Sequence, residues 1–266
     1  MKTEIKTVFE IVNEHNQKKD QWSYLTSIEY MLGSKLYVDS LCYDSEKVAQ
    51  YMPDGVFNML DFGTGSGIFA ILLRGLSPDA KLFAIDANKD ESQKDPNFSD
   101  TPNEQKIIWS EFNEKFNIDF NHYDGVNIPF PDNTFDIITA YAVIEHVPLS
   151  ELDKVMNEIK RVLKSDGLLF VFKTPRKLAY TEYLAGFLRL GRHEKLYGDN
   201  EVRSLFEKHQ LDVIENWKSD MVFEFPGKIT NPIYSVFKCL DFLLYHSPFQ
   251  IFAHHNNFVL KKRSLI

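Results

Sequence analysis

Residues 61–67 read Asp61-Phe62-Gly63-Thr64-Gly65-Ser66-Gly67. Glycines at alternate positions let a backbone turn tightly and approach a ligand closely. A helix is expected directly after them, and its first N–H groups have no partners inside the helix. The loop is therefore suited to holding a small polar ligand with main-chain atoms. Its spacing narrows the choice. A dinucleotide fingerprint has its third glycine one position later, where this chain has Ile68. A Walker loop would continue into Gly-Lys-Ser or Gly-Lys-Thr, and neither follows. Asp86 is expected at the end of the second strand, where a carboxylate can accept hydrogen bonds from both hydroxyls of a ribose. Asp124-Gly125 follows the third strand and reads either as a ligand contact or as a plain turn. Tyr141 and His146 come just after the fourth strand. An imidazole titrates near neutrality and suits a general base. The competing reading of His146 is a structural group that ties its loop to the next helix.

These groups need a scaffold, and the pattern of apolar residues supplies one. Residues 1–52 read as helical, with Val8, Ile11 and Val12, then Trp22, Leu25, Ile28 and Leu32, at helical spacing. Short apolar runs at 56–62, 81–85, 118–123, 134–140, 168–172, 211–217 and 258–262 read as strands. Helical periodicity falls between them, at 68–76, 103–116, 149–163, 178–190 and 200–209. Alternation of strand and helix over residues 56–217 predicts a mostly parallel sheet covered on both faces, with ligands at the carboxyl ends of its strands. The polar stretch 88–102 reads as a long exposed loop. Three domains are expected: a helical cap over 1–52, a core over 53–219, and an aromatic insert with the final strand over 220–266.

The chain has 266 residues, a hydrophobic content of 44% and a formal net charge of −8. An acidic surface repels phosphate backbones, so nucleic acid is not an expected partner. Cys42 and Cys239 are too few to suggest a disulfide framework and are expected to be reduced thiols. The charged N-terminus lacks an apolar signal core, and no stretch reaches the roughly 18 apolar residues of a membrane span. A cytoplasmic protein is expected. His254-His255 is read as holding no metal, because neighbours in a strand face opposite ways.

The glycine loop resembles motif I of the class I S-adenosylmethionine (SAM)-dependent methyltransferases. Asn127-Ile128-Pro129-Phe130-Pro131-Asp132-Asn133-Thr134-Phe135-Asp136 resembles the LPFPDNSFD segment of the ubiquinone and menaquinone methyltransferase group. Residues 141–147 resemble the EH-bearing segment that follows it, and Arg161-Val162-Leu163-Lys164 with Asp166-Gly167 resembles the turn before strand five. Here Asp166 replaces a glycine. The resemblance covers roughly residues 56–217 and implies a Rossmann-like seven-stranded fold. It also implies SAM as cofactor and S-adenosylhomocysteine as product, with no metal. On the matching positions it implies that Asp61, Gly63, Thr64, Gly65, Ser66 and Gly67 hold the amino-acid part of the cofactor. Asp86 and Ala87 would hold its ribose, and Asp124 and Gly125 its adenine. Tyr141 would line the methionine or acceptor side, and His146 is the candidate base.

The acceptor is sought in the additions to the core. The segment Arg189–Lys195, with His193, is basic and could meet an anionic glycan-type acceptor. Residues 220–256 are rich in aromatic and apolar groups, among them Phe223, Phe225, Tyr234, Phe242, Leu243 and Phe249, with a helix expected over 231–245. They could form a lid, a surface for a lipid-like acceptor or a membrane, or a homodimer contact. Two other functions compete: a SAM-fold module without catalysis, and an NAD-linked oxidoreductase, which the glycine spacing disfavours.

Overall fold

The computed structural model describes residues 2–16, 23–87, 101–188, 193, 195–223 and 226–263. Trp22, most of the 88–102 loop, Arg189 to Arg192, Glu194 and Phe225 lie outside the described residues. The sheet has seven strands in the order β3-β2-β1-β4-β5-β7-β6. They are β1 (Asn58–Phe62), β2 (Lys81–Ala87), β3 (Asp119–Tyr123), β4 (Phe135–Tyr141), β5 (Leu163–Pro175), β6 (Leu211–Ser219) and β7 (His255–Lys262). Pairing is parallel for β1 with β2, β2 with β3, and β4 with β5. Strand β7 runs antiparallel to both β5 and β6. The chain divides into two compact units, Met1–Asp124 with Glu224–Tyr234, and Gly125–Phe223 with Ser235–Ile266.

The first unit carries the glycine loop. Its helices are α1 (Lys2–His15), α2 (Tyr24–Leu32), α3 (Lys35–Ala49), α4 (Ile68–Leu76) and α5 (Thr101–Phe116). Ser23 and Ser34 cap α2 and α3 by accepting hydrogen bonds from the N–H groups of Thr26 and Tyr37. Helix α4 is apolar on nearly every side, and Ile68 to Leu73 are all buried. Gly67 starts it in the left-handed region at φ 77°. A Cβ at Gly67 would stand 2.8 Å from Cε1 of Phe120, so both conformation and space exclude a side chain. Phe120 is held in turn by Trp109 of α5, stacked at 5.4 Å. A short helix, α9 (Gly227–Thr230), belongs to this unit and is stapled to the corner between α2 and α3. Asn231 accepts from the Lys35 N–H at 3.0 Å and donates to the Gly33 carbonyl at 2.7 Å.

The second unit holds β4 to β7 with α6 (Leu149–Val162), α7 (Tyr180–Phe187), α8 (Asp199–Lys208) and α10 (Tyr234–Tyr245). Helix α6 buries one apolar stripe, Leu152, Val155, Met156, Ile159 and Val162. Arg176, 1% exposed, pairs with Asp199 through Nε at 2.9 Å and Nη2 at 3.0 Å. The same guanidinium donates to the carbonyls of Ile251 and Ala253, tying the approach to β7 onto the end of β5. Four expectations change at their edges. Strand β5 begins at Leu163 rather than at 168, because Leu163 already pairs with Phe135. Helix α7 stops at Phe187. The helix expected over 231–245 opens instead with a 3-10 turn over Asn231–Ile233 that carries Pro232, and α10 starts only at Tyr234. His254 precedes β7 rather than lying in it, and its ring stacks on that of His255 at 3.8 Å. The two rings therefore do not face apart as neighbours within a strand would.

Candidate functional site

The glycine loop is fixed from three sides within the first unit. Asp61, 1% exposed at the end of β1, accepts a 2.6 Å hydrogen bond from the Thr64 hydroxyl. The N–H groups of Gly63 and Thr64 both donate to the Ile85 carbonyl on β2, at 2.8 and 3.0 Å. The Gly65 carbonyl accepts from the Tyr24 hydroxyl at 2.9 Å and from Nε2 of Gln105 at 3.0 Å. Burial, followed by the nearby charge of Asp86, raises the Tyr24 phenol above its ordinary pKa, so it stays a neutral donor. Gly65 itself has φ 50°, and no heavy atom lies within 4 Å of where its Cβ would be. The loop thus offers an open cradle on a rigid base.

Asp86 ends β2 beside that cradle. Its Oδ1 accepts from the Ala87 N–H at 2.8 Å, and its Oδ2 lies 3.5 Å from Nε2 of Gln105. Gln105 therefore touches both the glycine loop and the strand-end acid. Asp124 is exposed at the end of β3. These residues fit a cofactor with an amino-acid arm and a ribose: the small-residue backbone would face the one and the strand-end carboxylate the other. Tyr24 and Gln105 were not singled out as binding residues from sequence. They lie 41 and 40 positions from Gly65, and no local pattern marks them.

In the second unit, Gly125 opens the chain after β3 at φ 89°. Tyr141 is half-buried at the end of β4, its ring 5.9 Å from Phe172. Ala142 follows at φ 53°, a conformation that costs a non-glycine residue about 1 kcal/mol or more. That kink turns the next residues back. His146 reaches solvent, with a side chain 67% exposed. Glu145 turns inward, 1% exposed, and lies 4.0 Å from His146, too far for a hydrogen bond. Among the described residues neither Glu145 oxygen has a hydrogen-bond partner. Burial pushes its carboxyl up to about 7.

Around Glu145 the second unit gathers a polar row that the sequence reading kept apart. His193 donates or accepts through Nδ1 at 2.7 Å from Oε1 of Glu182, and His254 through Nε2 at 2.5 Å from the same oxygen. Glu182 is 2% exposed on α7. Burial pushes its carboxyl up, but the bonds from His193 and His254 outweigh that and hold it well below the usual range. Its hydrogen bond in turn raises His193. His193 is thus turned toward a buried acid, while Arg189 to Arg192 and Glu194 of the same basic segment lie outside the described residues. His255 pairs with Asp220 at 2.6 Å, and Asp220 with Lys173 at 2.8 Å.

Residues 60–171 match the family described as the methyltransferase domain. The chain is similar to three proteins of that kind. It is 33% identical over 105 residues to sterol 4-C-methyltransferase strm-1 of Caenorhabditis elegans, covering 35% of this chain and 29% of that protein. It is 27% identical to the methyltransferase YcgJ of Bacillus subtilis, covering 62% of each chain. To demethylmenaquinone methyltransferase of Geobacillus it is 26% identical, covering 64% of each. The chain thus spans less than two thirds of the length of each. The solved structure of YcgJ superposes with a TM-score of 0.52 at 19% identity over 84% of this chain and 99% of that one, which shows the shared fold. Gly63, Gly65, Gly67 and Asp86 all fall inside the matched span. Residues 60–171 are thus similar to methyltransferase domains, and they lie on a sheet with the Rossmann-like fold of the solved methyltransferase structures.

Proposed function

We propose that the protein transfers a methyl group from SAM to an apolar, lipid-like acceptor. The observation that carries the acceptor class is α10. None of its twelve side chains is buried, although it reads Tyr-Ser-Val-Phe-Lys-Cys-Leu-Asp-Phe-Leu-Leu-Tyr. Val236, Phe242 and Leu243 are 62%, 61% and 59% exposed, and Phe249 in the turn that follows is 59% exposed. Exposed apolar side chains of this number are suited to lipid or to an apolar ligand rather than to water. Asp241 fixes it in place by accepting from the N–H groups of Met221 and Val222 at 2.8 and 3.2 Å. The sterol and demethylmenaquinone methyltransferases among the relatives support the same class. Among the described residues no helix is long and apolar enough to cross a membrane, so contact with lipid would be peripheral.

When bound, SAM supplies a methyl group on a cationic sulfur that is a good leaving group. The chain's own task is then alignment and proton handling. Asp61 and Thr64 hold the loop in shape, Gly63 to Gly67 accept the amino-acid arm, and Asp86 accepts the ribose hydroxyls. Ala87 is assigned to the ribose beside Asp86, and Asp124 and Gly125 to the adenine end. Tyr141 is assigned to the methyl-donor or acceptor side, and His146, exposed after β4, to proton removal where the acceptor is a hydroxyl or amine.

The test uses the full chain, SAM labelled in its methyl group, and mixed acceptors presented in vesicles and in water. Label recovered in the organic phase, with uptake lowered by Phe242→Ser, supports the reading. Label confined to water-soluble products overturns the acceptor class. No binding of S-adenosylhomocysteine by calorimetry overturns the cofactor assignment itself.

A further inference from the structure

Four histidines crowd one part of the second unit. The ring centroids of His146 and His193 are 6.0 Å apart, those of His193 and His254 6.2 Å, and those of His254 and His255 3.8 Å. We propose that Glu182, His193 and His254 form a binding site for a divalent transition metal of the zinc class, with Glu145 as the carboxylate that orients His193.

Three observations carry this. First, the donors converge. Nδ1 of His193 and Nε2 of His254 both aim at Oε1 of Glu182, at 2.7 and 2.5 Å, and one atom from each of the three residues lies within 4.8 Å of the others. Tetrahedral zinc with bonds of about 2.0–2.1 Å holds its ligand atoms about 3.4 Å apart, so each imidazole nitrogen needs to move away from Oε1 of Glu182 by less than about 1 Å. Second, the donor set suits the ion. Two imidazoles and one carboxylate are a ligand triad that zinc takes, with a fourth position left for water or an oxygen ligand. Third, Glu145 stands beside the cluster with its oxygens unsatisfied. Its carboxylate is buried, and neither oxygen has a hydrogen-bond partner among the described residues. One of its oxygens lies within 4.8 Å of a ring nitrogen of His193. With Nδ1 of His193 on the metal, Nε2–H is left to donate to Glu145. That is the carboxylate–histidine–metal arrangement that fixes a ligand's tautomer and orientation.

The surroundings hold the donors in place. The Tyr197 hydroxyl donates to the Ile144 carbonyl at 3.2 Å, which locks the turn bearing Glu145 to the stretch that follows His193. Arg176 fixes the approach to His254 through the Ala253 carbonyl. Two cations stand nearby. Lys173 is matched by Asp220, and Lys195 lies 4.7 Å above the Tyr197 ring and interacts with Glu145. The two buried carboxylates, Glu145 and Glu182, give the centre its affinity for a dication.

The experiment uses the full chain, stripped with a chelator and titrated with zinc against a chromophoric competitor, and in parallel with cobalt(II). No SAM is present, so the result is independent of the methyl-transfer reading. The expected result is one equivalent bound at micromolar affinity or tighter, with the visible bands of four-coordinate cobalt. His254→Ala and His193→Ala should each weaken binding at least 100-fold. Glu145→Gln should weaken it roughly 10- to 100-fold. His246→Ala, an exposed histidine on the end of α10, should leave it unchanged. Thermal unfolding of each variant checks the fold. Should His254→Ala fail to fold, zinc protection of the wild-type histidines from diethyl pyrocarbonate reads the same site. Absence of a stoichiometric equivalent in the folded wild type, or undiminished binding in the two histidine variants, overturns the proposal.

Discussion

Replacing Gly67 and Gly65 in turn by alanine separates the two tasks of the glycine loop. At Gly67 the backbone has φ 77°, and an added Cβ would stand 2.8 and 3.0 Å from Cε1 and Cζ of Phe120 and 3.5 Å from Cδ2 of Phe112. The left-handed conformation costs an L-residue about 1–2 kcal/mol. Forcing a methyl group into a packed core costs a further ~1–3 kcal/mol. Phe120 is itself packed against Trp109, stacked at 5.4 Å, and against Phe112 at 6.2 Å, which resists its displacement. The sum is about 2–5 kcal/mol, which at ~2–4 °C per kcal/mol lowers Tm by roughly 4–20 °C. At Gly65 the φ of 50° carries the same conformational cost, but nothing lies within 4 Å of the new Cβ. Gly65→Ala should therefore lower Tm by only about 2–8 °C, while its methyl group occupies the cradle and weakens S-adenosylhomocysteine binding. Thermal unfolding monitored by circular dichroism and calorimetry with S-adenosylhomocysteine read the two effects. An unchanged Tm in Gly67→Ala, or unchanged affinity in Gly65→Ala, would refute the division of labour.

Asp86→Ala should weaken S-adenosylhomocysteine roughly 10- to 150-fold, the worth of charged hydrogen bonds of about 1.5–3 kcal/mol, and calorimetry at equal ionic strength checks it. Asp199→Ala strands the buried Arg176 charge, which has a side chain 1% exposed against 45% for its partner. Breaking a buried pair costs about 3–5 kcal/mol, and the half-exposed partner reduces that to about 2–3 kcal/mol in urea unfolding. The Asp199 carboxyl is pushed up by burial but held below its ordinary value by Arg176 and Asn256. A depressed folded pKa means that its stabilisation is complete above about pH 4 and is lost as pH falls below that. The acid limb of the Tm-against-pH curve should therefore be shallower in Asp199→Ala, and an unchanged limb argues against the pair. Phe242→Ser and Leu243→Ser should leave Tm within about 2 °C, since both side chains are exposed on α10. They should lower sedimentation with lipid vesicles, and equal sedimentation would remove α10 from the acceptor surface.

Where the information was local, the sequence was enough. Alternating apolar runs and helical periodicity are short-range signals, and they placed all seven strands because each strand is set by residues a few positions apart. The loop over residues 61–67 was equally legible: glycine spacing after a strand and before a helix constrains the backbone by itself, and Asp61 and Asp86 stand at strand ends whose positions follow from the same pattern. The acid's bond to Thr64 spans only three residues. Element ends were less legible where a distant partner decided them, as with Leu163, drawn into β5 by its pairing with Phe135. Tyr24 and Gln105 meet at the Gly65 carbonyl only because α2 and α5 pack in the unit that carries the loop. Glu145, Glu182, His193 and His254 come from a turn, a helix, a connecting stretch and the approach to a strand, and they converge only in the folded second unit. A sequence records which residues can bond, but burial and the company of remote side chains decide which do. Burial raises Glu145, paired histidines lower Glu182, and α10 keeps its apolar side chains at the surface, and only the tertiary structure decides any of these.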